Sequence, residues 1–219
     1  MEKSMRRYMR VGTILHVSYK QLGSGEGPIL ECLKKIVTDP YFEVVEVAHM
    51  KDAEVRKAAA DMIARGHMTS SYGGQGRMLG AGLNINDLNE EGRQKALASL
   101  KKGIDEAYEM GVEDFAFLAG RYEEETKEES FQALLKSTRE LCEYAKSKGD
   151  MPVLCEVFDY DMANESLIGP VDMVKRYAET ICAEYDNFGL MVDLSHIPML
   201  HETIEESLLP VQQLSLIHI

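Results

Sequence analysis

Long hydrophobic runs are missing from this sequence of 219 residues. A helix that crosses a membrane needs about 20 consecutive, mostly apolar residues, and no segment approaches that length. Basic residues occur among the first ten positions, but the apolar core of a signal peptide does not follow them. Residues 11–19 are instead rich in β-branched and aromatic side chains, which is typical of a strand. We therefore predict a cytoplasmic protein that does not associate with membranes.

Cysteine is scarce, and its spacing argues against a disulfide framework. The four cysteines are Cys32, Cys142, Cys155 and Cys182. They lie far apart and form no CxxC pair, and three of them fall on apolar faces of the predicted elements. We therefore predict that they are reduced residues of the core.

An excess of positive charge is also missing. The chain has 24 Lys and Arg against 37 Asp and Glu, which gives a formal net charge of −13. The average field of such a chain repels a polyanion, and no compact cluster of Lys and Arg offsets it. We therefore expect no nucleic-acid partner, and a small molecule as the ligand instead.

What the sequence does contain is a regular alternation between two hydrophobic periods. Six segments have the short, β-branched and aromatic pattern of strands: 11–19, 42–49, 67–75, 112–119, 152–160 and 188–194. Each is followed by a segment with helical spacing: 29–37, 51–65, 89–110, 130–148, 170–185 and 202–209. Alternation of this kind predicts an α/β protein with a parallel sheet and helical crossovers.

Two architectures contain such a sheet, the doubly wound fold and the (β/α)₈ barrel. A doubly wound dinucleotide-binding fold has GxGxxG directly after its first strand. The loop after Tyr19 reads KQLGSGEGP, in which the glycine spacing differs and Pro28 follows at once. The sequence therefore predicts a (β/α)₈ TIM barrel, of which residues 1–209 supply about six βα units in one domain.

The carboxyl ends of the predicted strands are polar, and this is where barrels of this type carry their catalytic groups. Glu156 and Asp193 are the clearest cases, because each lies within an apolar strand, in VLCEVFD and GLMVDLSH. Burying an unpaired carboxylate is costly, so a cation, an Arg or Lys, or dense hydrogen bonding must compensate. Carboxylates with a nearby imidazole suit Mn²⁺ or Mg²⁺. His196 lies at the exit of the same strand as Asp193, within reach of a ligand or substrate oxygen.

Three further side chains are candidates for substrate binding, and each has a structural alternative. His16 ends the first predicted strand and is either a pocket residue or a core histidine whose hydrogen bonds are satisfied. Gln75 follows the third strand and either faces the pocket or stabilises its loop. Arg121 follows the fourth strand and either binds a substrate phosphate or pairs with the acidic run 123–125, and the ion pair is slightly favoured.

Several segments together resemble the xylose isomerase-like TIM barrel superfamily of sugar and sugar-phosphate isomerases and epimerases. They are LNINDLNEEGRQKALASLKKGIDEAYEMG, LCEVFDYD, LIGPVD and NFGLMVDLSHIPMLHET, and the resemblance extends over about residues 11–209. Its most specific part is the glutamate of the fifth strand combined with the D-x-x-H of the sixth.

The resemblance implies that Glu156 and Asp193 are two of four ligands of one divalent metal ion. Mn²⁺ or Mg²⁺ is implied first, with Co²⁺ or Zn²⁺ as further options. It also implies that His196 contacts the substrate, that Gln75 occupies a place where the family often has a polar pocket group, and that Glu156 moves a proton. The implied reaction removes a proton from a carbon next to a carbonyl and passes through an enediolate stabilised by the metal.

The chain departs from the family's pattern after residue 209. A barrel of this type takes roughly 250 residues, and the seventh and eighth strands with the other two ligands are not recognisable. Residues 210–219 resemble a foreign tail from cloning or sequence assembly. We therefore expect an incomplete barrel with open edges at strands one and six, which favours homo-oligomers. We also expect weak metal binding and little or no activity.

Three other functions fit part of this pattern. An abasic-site endonuclease shares the barrel, but it uses several metal ions, more histidines and a DNA partner that the net charge disfavours. A dehydratase could use the same enediolate. A non-catalytic barrel that binds a small polyol would need no metal. Metal content distinguishes these functions, because we expect about one Mn²⁺- or Mg²⁺-type ion for an isomerase, several zinc-type ions for an endonuclease and none for a binding protein.

Overall fold

The protein forms a parallel sheet whose strands follow one another in the order of the chain. A computed structural model describes residues 4–162 and 164–218. Its seven strands are β1 (Gly12–Ile14), β2 (Val44–Val47), β3 (Thr69–Gly73), β4 (Phe115–Leu118), β5 (Val153–Val157), β6 (Phe188–Val192) and β7 (Ser215–His218). A doubly wound sheet would reverse its strand order, whereas a (β/α)₈ barrel keeps it sequential. The predicted α/β barrel fold is therefore confirmed, and the described sheet is not closed, because β1 pairs only with β2 and β7 only with β6.

Helices follow the strands, and six of the eight in the described residues lie at the predicted segments, whereas α1 and α4 were not predicted. They are α1 (Leu15–Ser18), α2 (Ile29–Val37), α3 (Ala53–Arg65), α4 (Gln75–Leu79), α5 (Glu90–Met110), α6 (Lys127–Lys146), α7 (Val171–Cys182) and α8 (Ile204–Leu208). The first predicted strand, 11–19, is shorter than expected. It ends after Ile14 and continues as one helical turn, closed by a hydrogen bond from the Tyr19 N–H to the Leu15 carbonyl at 3.0 Å. Of the helices described, none is both long and apolar enough to cross a membrane.

The longest helix, α5, has a polar residue at its start and a glycine at its end. The Asn89 side-chain oxygen accepts hydrogen bonds from the N–H groups of Glu91 and Gly92 at 3.0 and 3.2 Å. Two of the N–H groups that a helix start leaves without partners are thereby satisfied. Gly111 follows Met110 with a φ of 65°, a left-handed conformation that suits glycine.

Alternation along the strands separates two apolar layers. Side chains such as Val45 and Phe117 pack in the main core between the sheet and the helices. Ala116, Leu154 and Met191 form a second, smaller cluster. They come from β4, β5 and β6 and lie on the opposite side of the sheet, inside its curve. The four cysteines are free thiols, as predicted.

The tail predicted over 210–219 contains a strand. Residues 215–218 form β7, which pairs in parallel with β6 and has a register irregularity opposite Leu190 and Met191. The Leu190 N–H donates to the Leu214 carbonyl at 3.0 Å, so the open edge that we predicted for the sixth strand is covered. The physical reason is that a strand edge presents unpaired N–H and C=O groups, and this segment satisfies those of β6. A foreign origin of the segment stays a prediction.

One buried guanidinium links α5 to α6. Arg93 has 1% of its surface exposed, and it donates hydrogen bonds to Glu90, Ser137 and Glu140. We expect Arg93→Met to lower the free energy of unfolding by about 2 kcal/mol, because these hydrogen bonds are lost. Urea denaturation measures the change.

The matched control is Lys35→Met, since the Lys35–Glu31 pair is largely exposed and such pairs contribute less than about 1 kcal/mol. Equal losses of stability in the two variants would contradict a structural role for the buried guanidinium.

Candidate metal and substrate site

Two acidic side chains lie at the carboxyl ends of adjacent strands and face the inside of the curved sheet. Glu156 belongs to β5 and pairs in register with Met191 of β6, and Asp193 directly follows β6. Each lies two residues beyond an inward apolar side chain of its own strand, Leu154 or Met191, so strand alternation points it inward as well. Glu156 is 5% exposed and Asp193 is partly buried.

His196 completes a group of three side chains that could hold a metal ion. Its Nε2 atom lies 3.7 Å from Glu156 Oε1 and 3.6 Å from Asp193 Oδ2. One possible ligand atom from each of the three residues lies within 4.8 Å of the others. In residues 4–162 and 164–218, no second group of this kind occurs. The structure therefore brings together the three residues for which the sequence made the sharpest predictions.

The second oxygen of each carboxylate is held by a protein donor. The Gln75 side-chain N–H donates to Glu156 Oε2 at 2.6 Å, and the Ser195 backbone N–H donates to Asp193 Oδ1 at 2.7 Å. Gln75 is the first residue of α4, so the short helix after β3 positions its amide. These bonds fix both carboxylates and leave Glu156 Oε1 and Asp193 Oδ2 on the side of His196.

The donor set fits a hard divalent cation. Across the described part of the chain, neither carboxylate forms an ion pair with Lys or Arg, and His196 is the basic group beside them. Two carboxylate oxygens and an imidazole nitrogen are ligands that suit Mn²⁺ or Mg²⁺. Glu156 and Asp193 are thus the residues that would hold the ion, His196 lies beside them, and Gln75 would orient Glu156.

The imidazole of His196 is held between an aromatic ring and the two carboxylates. Its ring centroid lies 4.1 Å from that of Phe158. The Nδ1 atom is buried and has no hydrogen-bond partner among the described residues, so the polar contacts of the ring are made through Nε2. The Glu156 carboxylate raises the pKa of His196, burial opposes this, and Asp193 adds to the increase. An imidazolium at this position would offset part of the negative charge.

A third inward carboxyl group, Glu46 of β2, is not among the site residues that the sequence predicted. Burial raises its pKa to about 8, and the charges of Glu156, Asp114 and Asp193 add to this effect. The signal was present in the sequence, because Glu46 lies in the apolar run VVEV just as Glu156 lies in VLCEV.

His16 and Arg121, the other predicted substrate-binding residues, form no hydrogen bond or ion pair with this group among the described residues. His16 is in α1, and its Nδ1 atom is buried without a hydrogen-bond partner among the described residues. Burial lowers the pKa of His16. Arg121 is largely exposed and pairs with Glu165 at 2.7 Å rather than with the acidic run 123–125. Neither side chain contacts Glu156 or Asp193 in the described structure, whereas Gln75 does.

Comparison with known proteins identifies the fold family. A sequence model described as the xylose isomerase-like TIM barrel matches residues 37–219. None of the curated proteins compared with the chain matches its sequence.

Solved structures named as sugar epimerases or as an AP endonuclease share this fold. A D-tagatose 3-epimerase-like protein has a TM-score of 0.77 at 16% identity, over 96% of this chain and 74% of that chain. A D-psicose 3-epimerase studied in the presence of D-fructose has a TM-score of 0.75 at 10% identity, over 96% and 72% of the two chains. An AP endonuclease of family 2 from Brucella melitensis has a TM-score of 0.72 at 14% identity, over 94% of this chain and 77% of that chain. At these identities the similarity establishes the fold alone.

Proposed function

Because this chain belongs to the xylose isomerase-like TIM barrel family, we propose that its site serves a sugar or sugar-phosphate isomerase or epimerase that depends on a divalent metal ion. The observation that carries the proposal is the convergence of Glu156, Asp193 and His196 at the carboxyl ends of β5 and β6. Structural neighbours named as epimerases of D-tagatose and D-psicose support it.

Glu156 is the proposed base. Gln75 donates to its Oε2 atom at 2.6 Å, while Oε1 faces the site, 3.7 Å from His196 Nε2, and can take a proton from a carbon next to a substrate carbonyl. Removal of that proton leaves an enediolate. Return of a proton to the neighbouring carbon gives an isomer, and return to the opposite face of the same carbon gives an epimer.

His196 faces the same space as Glu156 Oε1 and would bind the substrate oxygen beside the reacting carbon. When bound, a divalent cation supplies electrostatic stabilisation for the negative charge that develops on the substrate oxygens. Phe158 keeps the imidazole in place, so that its Nε2 atom stays directed at the site.

Phosphodiester hydrolysis, the activity named for one structural neighbour, is less well supported. The described residues contain one group of three possible metal ligands with a single histidine. A net charge of −13 also opposes the approach of a polyanion.

Exchange of a carbon-bound proton with solvent tests the proposed chemistry. In D₂O with Mn²⁺ and D-fructose, we expect slow incorporation of deuterium at the carbon next to the carbonyl, followed by NMR. We expect it to stop in Glu156→Gln and after addition of EDTA, because the base or the charge stabilisation is removed. Exchange is a better measure than product formation, since we expect little turnover.

The control is Glu128→Gln, which removes one exposed carboxylate. That carboxylate pairs with Arg176 and is not one of the site residues. Exchange that continues at the same rate in Glu156→Gln would show that another group takes the proton. Mn²⁺ binding without any exchange would count against the isomerase reaction on this sugar.

A further inference from the structure

Glu46 is a carboxyl group without a protein partner. Its pKa is raised by burial and by neighbouring negative charges, and no hydrogen bond or cation among the described residues opposes that increase. Glu46 is partly buried, and polar groups that a fold withdraws from water usually find a hydrogen-bond partner, because an unsatisfied group destabilises the fold. A hydrophobic side chain at this position of β2 would avoid that cost, so packing alone does not account for a glutamate here.

Gly73 of the adjacent strand makes the space for this carboxyl group. A Cβ atom on Gly73 would lie 2.5 Å from Glu46 Oε1 and 3.0 Å from Gln75 Oε1. The backbone of Gly73 is not in the left-handed region that favours glycine. The glycine is therefore required by the two polar groups beside it and not by the conformation of the chain.

Gln75 lies between Glu46 and the proposed metal site. Its amide oxygen lies on the side of Glu46, and its amide nitrogen donates to Glu156. In the order of the sheet, β2 is four strands from β6, which carries Asp193 at its end. Glu46 therefore borders the interior from the far side of the sheet, away from Asp193 and His196.

We propose that Glu46 binds a hydroxyl group of the sugar by a hydrogen bond, on the side of the interior opposite Asp193 and His196. This inference rests on the proposed function. A sugar carries several hydroxyl groups besides those at the reacting carbons, and each can both donate and accept a hydrogen bond. A carboxyl group that the protein leaves without a partner matches such a hydroxyl group.

The protonation state of Glu46 supports this role. Burial, the first cause of its raised pKa, favours the neutral carboxyl group, which can donate as well as accept. Glutamine at position 46 would keep both capacities, whereas alanine would keep neither.

The binding of D-fructose in the presence of Mn²⁺, measured by calorimetry at pH 7, tests the proposal. We expect Glu46→Ala to weaken D-fructose about tenfold, while the affinity for Mn²⁺ changes by less than about twofold. Glu46→Gln should keep an affinity close to that of the unmodified chain. Gly73→Ala should reproduce the loss, because its methyl group displaces the Glu46 carboxyl group. The affinity for Mn²⁺ is measured in the same variant, because the methyl group also lies 3.0 Å from Gln75 Oε1.

Deoxy analogues of D-fructose identify the hydroxyl group. One analogue should bind to the unmodified chain about tenfold more weakly than D-fructose does. In Glu46→Ala the same analogue and D-fructose should bind equally well, because the variant lacks the carboxyl group that the hydroxyl group would contact. Circular dichroism checks that each variant is folded.

Two results would overturn the inference and leave the metal site intact. In the first, Glu46→Ala and Gly73→Ala bind D-fructose with the same affinity as the unmodified chain. In the second, the unmodified chain binds Mn²⁺ but does not bind D-fructose. A chain that binds neither would contradict the proposed function together with the inference.

Discussion

Replacing Glu156 with glutamine should remove Mn²⁺ binding and, at the same time, make the metal-free protein more stable. Glu156 is buried beside Asp193, and His196 is the basic group next to them in the described structure. Without a cation, the two negative charges disfavour the folded state. Glutamine has nearly the same shape, and its side-chain oxygen can still accept the hydrogen bond from Gln75.

We expect the affinity for Mn²⁺ to fall roughly 100-fold or more, since a ligand is lost. The free energy of unfolding in EDTA should rise by about 1 kcal/mol, because a buried charge is removed. Titration calorimetry and urea denaturation measure the two effects. Asp193→Asn should behave in the same way. The unmodified chain itself should bind Mn²⁺ weakly, because the two carboxylates leave most of the coordination positions to water.

The opposite signs of the two effects make this experiment specific. A carboxylate held only for structural reasons would lose stability on neutralisation, because its hydrogen bonds would weaken. Glu128→Gln is the control, since it also removes one negative charge but from an exposed ion pair with Arg176. Unchanged Mn²⁺ affinity in both Glu156→Gln and Asp193→Asn would exclude the proposed metal site.

The stability of the metal-free protein should fall as the pH rises from about 4.5 to about 8, and Glu46→Gln should remove much of that fall. The pKa of Glu46 is raised in the folded state to about 8 from an ordinary value of 4.5. Between these values the folded protein binds more protons than the unfolded chain, so raising the pH favours unfolding. The contribution of Glu46 to the free energy of unfolding is fully present below about pH 4.5 and is lost as the pH rises through about 8.

The expected size is on the order of 2–4 kcal/mol, because one pKa unit corresponds to about 1.4 kcal/mol and partial exposure reduces the effect. Glu46→Gln should therefore raise the free energy of unfolding at pH 8 and change that free energy little near pH 4.5. Urea denaturation in EDTA across this range measures both.

Asp114→Asn gives a matched comparison in a different pH window. Burial raises the pKa of Asp114 from 3.8 to about 6, with a contribution from Glu113. Its neutralisation should flatten the profile between about pH 4 and 6. It should also lower the upper end of the remaining fall slightly, because the charge of Asp114 contributes to the raised pKa of Glu46. A profile that is unchanged in Glu46→Gln would mean that the carboxyl group is ionised at neutral pH.

The sequence was sufficient for six strands of the sheet, for six of the helices, and for singling out Glu156 and Asp193 as candidates. Hydrophobic period is a local property, so six strand–helix units could be predicted without knowing any contact between them. Glu156 and Asp193 could be singled out because a carboxylate inside an apolar strand is costly wherever that strand lies. The same reasoning applied to Glu46, but nothing in its segment indicated that the described residues would leave it without a hydrogen-bond partner.

Which strand-end residues share one pocket was decided by the tertiary structure. His49 follows β2 at the same end of the sheet, yet its Nδ1 atom lies 3.0 Å from Glu106 of α5, on the helix side. Arg121 turns outward to Glu165, whereas Gln75 turns inward to Glu156. The direction of each side chain depends on the alternation within its strand and on the course of the loop that follows.

The amino-acid sequence by itself determined the alternating elements, the barrel class and the buried carboxylates, because each follows from the burial preference of residues close together in the chain. The tertiary structure decided the convergence of Glu156 with Gln75, the isolation of Glu46 behind Gly73, and the pairing of residues 215–218 with β6. These features join residues that are distant in sequence, and their distances depend on the register and curvature of the whole sheet, which no single segment specifies.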